Sequence, residues 1–364
     1  MQEDFHYYAT YSAAFLAGFS HEESQDIAYS AQFVDLCSRT LLAKLKAPMD
    51  AATTQLQLEM MDARTDIIGL QDITRIWASF HFLPKDLYAK KAKRTRRYMN
   101  KYRLICGPNG DLLVKTVKLA KNRSLQHIGI AMHILADTWA HANFAGTPSL
   151  VINNTDHEFY ELYEADGKEV ERKIKFRHSP SLPDDLENGL YTNSIYQGVE
   201  NSIMNLGHGR AGHFPDYSFA KYRYLPAWGD YHEIIKDNPA DYMRAFTQMV
   251  AAMKYLRGIK GDFAAEEYDD TVSEQYGKEI MAIIKKRQLN ACTDWKNFGE
   301  MLSGIEIDDY YVEKYQDEYI NAGRSHKDGT FIGKFLKAAL AQKGMVTNEI
   351  FKSGNILAGF SIVR

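Results

Sequence analysis

The chain has 364 residues, of which 45% are hydrophobic and 25% are charged, and its formal net charge is −3. This is the composition of an ordinary soluble protein with one large core or two domains, and it creates no global field that would attract nucleic acid or an anionic membrane. Three cysteines, Cys37, Cys106 and Cys292, are too few and too widely spaced for a disulfide framework, which favours a reducing compartment.

The first residues, Met1–His6, lack the basic and apolar regions of a signal peptide. No apolar run approaches the roughly 20 residues that a membrane-spanning helix needs. We therefore expect a cytoplasmic protein without a membrane span. The sequence contains no signal from which an oligomeric state could be predicted.

The first clear sign of a helix is the segment Ser20-His-Glu-Glu23, which has the pattern of a capping box. In that motif the Ser20 side chain caps the first helical turn, and the Glu23 side chain bonds back to the capping residue. The pattern predicts a helix over residues 21–46, which ends before Pro48. Residues 64–83, further along, are ambiguous between a strand and irregular structure.

A basic tract follows at residues 85–104, and its segment Lys90–Arg97 carries six positive charges in eight residues. Such a segment could bind a polyanion, and binding of that kind would be sensitive to salt. We favour a solvated loop, because the chain as a whole carries a slight negative charge. Nucleic acid is therefore not the partner that the sequence favours.

The remaining signals are mostly those of helices. Ser124 as the capping residue and Gly146 as the stop delimit a long helix over residues 124–142. A small hairpin is predicted over Tyr163–Phe176. The C-terminal tail, residues 355–363, has the pattern of a short strand or a docked extension. The other predicted helices span residues 111–120, 191–206, 239–257, 270–288, 294–304, 308–321 and 329–343.

The most informative segment lies on the long predicted helix, where His133, Asp137 and His141 follow one another at four-residue steps. Each such step advances about 400° around an α-helix, so successive side chains drift by only about 40° and the three share one face. The rest of this helix is strongly apolar, and a buried polar stripe is costly unless its groups are paired or bind a metal ion. Histidine and aspartate are ligand types that hold zinc.

Four other places in the chain repeat this combination of histidine and aspartate. They are the pair Asp4 and His6, the lone Asp35, the lone His81, and a glycine-rich loop with His208, His213 and Asp216. Singly, each has an ordinary structural explanation, such as a satisfied buried histidine or a helix cap. Together they provide enough nitrogen and oxygen ligands for two or three zinc ions. The histidines that we expect to be structural or exposed are His21, His127, His157, His178, His232 and His326.

The order of these residues is similar to that of the zinc-dependent phospholipase C/P1 nuclease superfamily. The shared features are an N-terminal histidine, an early aspartate, a histidine followed by phenylalanine and proline, and an HxxxD pair with another histidine downstream. The blocks Phe5–Tyr11, Ala136–Gly146 and Gly207–Asp216 also resemble an uncharacterised bacterial family that is distantly similar to that superfamily. The resemblance covers about residues 1–220.

This resemblance implies a mainly α, multi-helix bundle around a buried metal cluster, with minor β structure. Independently of the resemblance, the sequence contains no convincing linker, so one domain overall is expected, with residues 1–260 as a helical metal-binding domain and residues 261–364 as a helical extension packed on the same core. The cluster would hold two or three zinc ions, or other divalent transition metals. It would hydrolyse a phosphate ester of a small molecule, lipid or nucleotide by activating a water molecule.

The resemblance also implies a ligand set for each of three metals. The ligands of the first metal would be Asp35, His81, His133 and Asp137. Asp137 would bridge to the second metal, which His6 would also bind. The third metal would be held by His141 with His208 or His213, together with Asp216.

The sequence departs from the superfamily pattern in three ways. The superfamily's enzymes bind zinc through an N-terminal tryptophan, and here Asp4 or Met1 would have to replace it. The histidine after the bridging aspartate, His141, follows it by four residues rather than six. The last ligand pair lies on a helix in the superfamily and in the loop of His208 and His213 here.

For catalysis, we expect Asp35 or Asp4 to act as the base that activates water. Arg210 could neutralise charge on the phosphate, although a solvated surface arginine is the simpler interpretation. Two other functions remain open at this point. The first is a metal-stabilised structural or binding protein without turnover, and the second is a metallohydrolase that acts on a bond other than a phosphate ester.

Overall fold

The computed structural model of the protein describes residues 1–155, 158–174, 186 and 205–359. This part of the chain is mainly helical and includes a small antiparallel sheet, as the sequence predicted. A π-helical segment, Asp4–Ala9, runs directly into the first α-helix. The α-helices are α1 (Thr10–Leu16), α2 (His21–Phe33), α3 (Arg39–Leu45), α4 (Gln57–Ala63), α5 (Ile67–Phe80), α6 (Arg96–Tyr102), α7 (Asp111–Leu119), α8 (Leu125–Ala140), α9 (Leu150–Asn153), α10 (Asn238–Arg257), α11 (Asp270–Lys285), α12 (Cys292–Ser303), α13 (Gln316–Asn321) and α14 (Phe331–Lys352).

The predicted helix over residues 21–46 is divided into two helices, α2 and α3. The capping box forms as expected: the Ser20 hydroxyl accepts a hydrogen bond from the Glu23 amide at 3.2 Å, and the Glu23 carboxylate accepts one from the Ser20 amide at 2.9 Å. Helix α2 then ends, and α3 begins only after Ser38, whose hydroxyl caps it. The turn between the two helices carries Asp35.

Residues 64–83 are the clearest error of the sequence analysis, because most of them form helix α5. The Asp66 carboxylate caps this helix by accepting a main-chain N–H at 2.7 Å. Ile73, Ile76 and Phe80 are buried and recur at the spacing of one helical face. The isoleucines that are typical of strands therefore serve here as the buried face of a helix.

The later helices differ from prediction mainly at two places. Only Gln316–Asn321 of the predicted helix 308–321 is α-helical; in the preceding segment the main-chain carbonyls of Asp308 and Val312 accept hydrogen bonds from the hydroxyls of Tyr7 and Tyr29. Helix α14, in contrast, continues nine residues past its predicted end at position 343. The predicted helix 191–206 lies outside the described residues, apart from its last two positions, which are not α-helical.

The sheet has the strand order β2-β1-β3-β4 and is antiparallel throughout. Its strands are β1 (Phe159–Ala165), β2 (Lys168–Lys173), β3 (Lys221–Tyr224) and β4 (Ile234–Asp237). The first two form the predicted hairpin, which turns at Asp166 and Gly167, both with positive φ; Phe176, its predicted end, lies outside the described residues. The sequence analysis did not predict β3 and β4.

Helix α8 lies at the centre of the helical core, with α2, α5, α10 and α14 packed around it. Gly129 permits the close approach of α2, because a Cβ atom there would lie 2.4 Å from the main-chain oxygen of Ile27. This packing brings the end of α2, and Asp35 after it, beside the polar stripe of α8. The core is thus arranged so that the stripe faces several different segments of the chain.

Residues on both sides of position 260 contribute to this core. Phe5 lies edge-on to Trp295 with 5.9 Å between ring centroids, and Phe33 lies edge-on to Phe335 at 4.8 Å. The tail docks as an extension along α5, whose polar side chains donate to the carbonyls of residues 356 and 358. Its end, residues 360–364, lies outside the described part. Among the described helices, none is both long and apolar enough to cross a membrane.

Candidate metal centre

Helix α8 carries the polar stripe that the sequence predicted, and the stripe is buried. His133 and Asp137 are 0% and 1% exposed. The His133 Nε2 atom lies 3.1 Å from Asp137 Oδ2, and the Nδ1 atom of His141, at the C-terminal end of the helix, lies 3.6 Å from the same oxygen. The three side chains therefore point into one region, as their spacing requires.

His6 reaches this region from the π-helical segment at the N-terminus. Its Nε2 atom lies 3.1 Å from Asp137 Oδ1, and its ring stacks on that of His133 with 3.8 Å between centroids. The Nδ1 atom of His6 has no hydrogen-bond partner among the described residues, although the side chain is fully buried. We define the Asp137 group as His6, His133 and Asp137, which present their ligand atoms to a common point.

A second set of ligands meets the stripe from the ends of α2 and α5. The His81 Nδ1 atom, just after α5, lies 3.2 Å from His133 Nε2 and 3.3 Å from Asp137 Oδ2. The Asp35 Oδ1 atom lies 3.7 Å from His81 Nδ1 and 3.9 Å from His133 Nε2. We define the Asp35 group as Asp35, His81 and His133. The two groups share His133 and adjoin each other through Asp137.

The third set combines the end of α8 with the glycine-rich loop. His141 Nε2 lies 3.1 Å from Asp216 Oδ1, and His208 Nε2 lies 3.6 Å from Asp216 Oδ2. We call these three residues the loop group. An aromatic side chain backs it, since the Phe82 ring stacks on His141 with 4.7 Å between centroids. Eight of the nine predicted metal ligands thus lie in these three groups.

The amino group of Met1 lies between the loop group and the Asp137 group. It is 3.0 Å from an oxygen of Asp137, 3.0 Å from an oxygen of Asp216 and 3.2 Å from His141 Nε2. Of the two replacements considered for the N-terminal tryptophan, Met1 is the one inside the cluster. Its ammonium group is a cation held by the buried carboxylate of Asp137 and the partly buried carboxylate of Asp216.

Five histidines belong to the three groups. In three of them, the ring nitrogen that faces away from the cluster is hydrogen-bonded to a main-chain carbonyl. His81 Nε2 lies 3.1 Å from the Thr53 carbonyl oxygen, His141 Nδ1 lies 2.7 Å from that of His81, and His208 Nδ1 lies 2.8 Å from that of Gly212. A carbonyl oxygen can only accept, so each of these nitrogens is protonated. When such a ring is neutral, its other nitrogen presents a lone pair to the cluster, as in metal-bound histidine whose second nitrogen is held by a second-shell contact.

This tautomer assignment leaves more acceptors than protons around His133. Its Nε2 atom lies within 3.9 Å of His81 Nδ1, Asp137 Oδ2 and Asp35 Oδ1, which all present lone pairs when the His81 ring is neutral and the carboxylates are charged. A neutral His133 can supply at most one proton to them. Two ligands of a tetrahedral zinc ion, each about 2.0–2.1 Å away, lie about 3.3 Å apart. The donor set and its spacing therefore fit a zinc ion.

Burial controls the protonation of the histidines. It lowers the pKa of His6, His133 and His208 to about 4, because a charged imidazole loses its hydration. These rings are therefore neutral near pH 7. A neutral imidazole is the form that binds a metal ion.

The carboxylates respond to burial and to charge together. Burial alone would raise the pKa of Asp137, but the neighbouring His141 and the Met1 ammonium hold it well below its usual range. The Met1 ammonium and His208 do the same for Asp216. Burial lowers the pKa of the Met1 amine, and the facing carboxylates outweigh this effect and raise it to about 11. For Asp35, burial is the largest influence and raises the pKa.

Three predicted site residues lie outside the three groups. Asp4 uses its carboxylate to accept hydrogen bonds from the amides of Phe5 and Ala291, at 2.7 and 3.0 Å, so it is bound to the backbone and not to the cluster. The Nδ1 atom of His213 lies 3.4 Å from the Tyr217 hydroxyl. Arg210 is partly buried, and its Nε atom has no hydrogen-bond partner in the part of the chain that the structure describes.

The basic tract has local partners in part. Lys91 and Arg94 both pair with Asp230, whereas the other four cations of Lys90–Arg97 are exposed. Among the histidines expected to be structural or exposed, His232 and His326 are exposed, and His21 and His127 are half-buried beside Tyr11 and Ser124. His157 and His178 lie outside the described residues.

Sequence reasoning missed the groups that hold the ligands in place. The carbonyls of Thr53 and Gly212 are main-chain atoms, and no side-chain pattern marks them. Lys236 was also missed: it is buried, and its ammonium donates to the Trp139 carbonyl at 2.8 Å, at the end of α8. A lysine in a short alternating strand segment carries no signal that it will cap a distant helix.

The fold and the groups together define a mainly helical protein with a candidate metal centre. The sequence model of DUF6765, a family of unknown function, matches residues 1–350, and the chain belongs to this family. No curated protein and no solved structure matches the chain.

Proposed function

We propose that this protein is a metal-dependent hydrolase of phosphate esters whose metal centre binds two or three zinc ions. The observation that carries the proposal is the convergence of His81 Nδ1, His133 Nε2 and Asp137 Oδ2 on a buried point, where neutral rings would have one proton at most to share with the carboxylate. Such an arrangement is unfavourable without a cation. A bound divalent ion supplies that charge.

The arrangement of the three groups supports more than one ion. Asp137 turns one carboxylate oxygen to His6 and the other to His133 and His81, as a bridging ligand would. The loop group provides a separate set of three ligand atoms. The same order of ligands supports the resemblance to the phospholipase C/P1 nuclease superfamily and a bundle of that type.

Asp35 is the residue that we assign as the proton acceptor. Its side chain is 30% exposed, against 13% for Asp216 and 1% for Asp137, so solvent reaches the cluster most easily at Asp35. The rest of the side chain is shielded from water, and this desolvation raises its pKa, which makes its carboxylate a better base than a fully exposed aspartate. A zinc ion held beside it would lower the pKa of a bound water and polarise a phosphoryl oxygen.

The competing interpretation is a cluster that is stabilised without turnover. The Met1 ammonium favours it, because this group already brings a positive charge to Asp137 and Asp216. Under this alternative the carboxylates need no metal ion. The two interpretations differ in metal content, which can be measured before any substrate is known.

The test begins with metal analysis of full-length protein purified without chelator or added metal. At least two equivalents of zinc or another transition metal per chain are expected, and less than one would reject the metal centre. Hydrolysis of bis(p-nitrophenyl) phosphate is then compared between wild type, Asp35→Asn and the exposed control Asp328→Asn. We expect a loss of about 100-fold or more only in Asp35→Asn. Metal without any such hydrolysis would favour the structural role or another bond.

A further inference from the structure

Thr53 links two ligands of the Asp35 group that come from distant parts of the sequence. The residue is fully buried and follows the short 3₁₀ turn Met49–Ala51. It is not a ligand type that the cluster uses, and the sequence analysis gave it no role. Its three polar groups nevertheless all bond to the segments that carry Asp35 and His81.

Two of these bonds hold the turn that carries Asp35. The Thr53 hydroxyl donates to the Val34 carbonyl at 2.6 Å, and its amide donates to the Cys37 carbonyl at 2.9 Å. The two acceptors lie on either side of Asp35. The turn is therefore fixed at both ends by one residue, and the direction of the Asp35 carboxylate depends on it.

The third bond sets the ring of His81. Its Nε2 atom donates to the Thr53 carbonyl at 3.1 Å, which leaves the Nδ1 lone pair directed at Asp137 and His133. Rotation of the ring by half a turn would break this bond and turn Nδ1 away. The Thr53 carbonyl thus selects both the tautomer and the orientation of the ligand.

The loop before Thr53 is in turn held by the C-terminal helix. The buried Lys343 ammonium, on α14, donates to the carbonyls of Asp50 and Ala52. Ala52 directly precedes Thr53, so Lys343 restrains the same piece of backbone from the opposite side. This contact connects the C-terminal third of the chain to the metal centre.

We propose that Thr53 is a positioning residue of the Asp35 group, which orients Asp35 and His81 for one metal ion and is supported by Lys343. The inference rests on the proposed metal centre. Its effect is expected at that ion alone, because Thr53 makes none of these bonds to His208 or Asp216. Second-shell partners of this kind change metal affinity by about 10–100-fold when removed.

The experiment compares Thr53→Val, which keeps the shape and removes the hydroxyl, with Thr53→Ser, which keeps the hydroxyl. Zinc affinity of the full-length chain is measured by competition with a chromophoric chelator, and melting temperature is recorded in parallel. We expect Thr53→Val to bind one of its two tighter equivalents, the one at the Asp35 group, about 10–100-fold less tightly, and Thr53→Ser to stay within about twofold of wild type. Unchanged affinity in a folded Thr53→Val protein would overturn the proposal, even with a lower melting temperature.

A second variant and a second readout keep the proposal testable if Thr53→Val does not fold. Lys343→Met releases the loop from the other side and should weaken zinc binding at the same group. Wild-type affinity in a folded Lys343→Met protein would contradict the proposal.

Nitrogen chemical shifts of His81 give the tautomer directly, with a protonated Nε2 expected in wild type. A protonated Nδ1 would overturn the role of the carbonyl. If wild type binds less than one metal equivalent, the proposed function fails, and the tautomer measurement still tests Thr53.

Discussion

The helix-borne and loop-borne parts of the cluster differ in how their ligands are fixed. His133 and Asp137 are side chains of one helix and are fully buried, so their 3.1 Å separation is set by the backbone. His208 and Asp216 come from a glycine-rich loop, are 18% and 13% exposed, and lie 3.6 Å apart. The comparison indicates a preorganised half and a half that depends on local loop contacts.

This difference predicts an order of metal affinity. A ligand pair held at its final spacing loses little entropy on binding, whereas a loop ligand must be ordered. We therefore expect the ions at the Asp137 and Asp35 groups to be retained more tightly than the ion at the loop group. The variants below change ligands of one half or the other, or test a region that lies outside both halves.

The largest effect is expected for Asp137→Asn, which keeps the shape of the bridging residue and removes its charge. Both oxygens of Asp137 face other ligands, so the helix-borne half loses a shared carboxylate. Zinc affinity of that half should fall by at least about 100-fold, more than for a second-shell change. Metal analysis after dialysis should show one equivalent or less, held by the loop group. Wild-type metal content in Asp137→Asn would reject the bridge.

The next effect concerns two histidines of the same loop. His208→Ala removes a loop-group ligand and should release one metal equivalent, without changing the affinity of the helix-borne half. His213→Ala is the matched control, because His213 is outside the three groups and should keep every equivalent. Isothermal titration of zinc into the metal-free variants distinguishes them. Loss of the same equivalent from both proteins would mean that zinc binding there depends on the conformation of the loop and not on the His208 ring.

A smaller effect is expected from pH in the metal-free protein. The pKa of His6, His133 and His208 is lowered to about 4, so these rings bind protons more readily when the chain is unfolded. The stability they contribute is present above about pH 6.5 and is lost as the pH falls towards 4. The melting temperature should fall over that range.

Variants at these histidines assign this pH dependence to one half of the cluster. Two of the three rings are helix-borne, and the pKa of each is lowered to about 4, so His208→Gln should keep about two thirds of the dependence and the double variant His6→Gln with His133→Gln about one third. Differential scanning fluorimetry at matched ionic strength measures it. A melting temperature that is flat between pH 6.5 and 4 would contradict the burial of neutral rings.

The smallest effect is expected at the basic tract, which lies outside both halves of the cluster. Lys93→Gln with Arg97→Gln removes two exposed charges that have no ion-pair partner in the described structure. Hydrolysis of a small phosphodiester should change by less than about twofold, as expected for solvated charges. A loss of tenfold or more in kcat/KM would place this tract at the substrate.

The polar stripe of α8 could be predicted from the sequence because its information is local. His133, Asp137 and His141 need only the 3.6-residue period of a helix to share a face. The grouping of His6, Asp35 and His81 with them came from a resemblance to a known order of ligands, since no spacing rule relates positions that are far apart in the chain.

Other features could not be predicted because they depend on main-chain contacts formed only in the fold. The choice of His208 over His213 follows from the path of the loop, in which the Gly212 carbonyl fixes the His208 ring. The error at residues 64–83 has a similar origin. The isoleucines there are compatible with a strand or a helix, and burial against other helices favours the helix. The break after α2 leaves Asp35 outside the helix. It depends on the cap that Ser38 provides for α3, and the sequence before Ser38 is compatible with a continuous helix.

The most direct test of the account is anomalous diffraction at the zinc edge from crystals of the full-length protein grown with zinc. We predict at least two anomalous peaks, each about 2.0–2.2 Å from the nearest ligand atoms. One lies between His81 Nδ1, His133 Nε2 and Asp137, and another between His141 and His208. Density without such peaks, with the imidazoles hydrogen-bonded to carboxylates or to the Met1 amine instead, would contradict the metal centre.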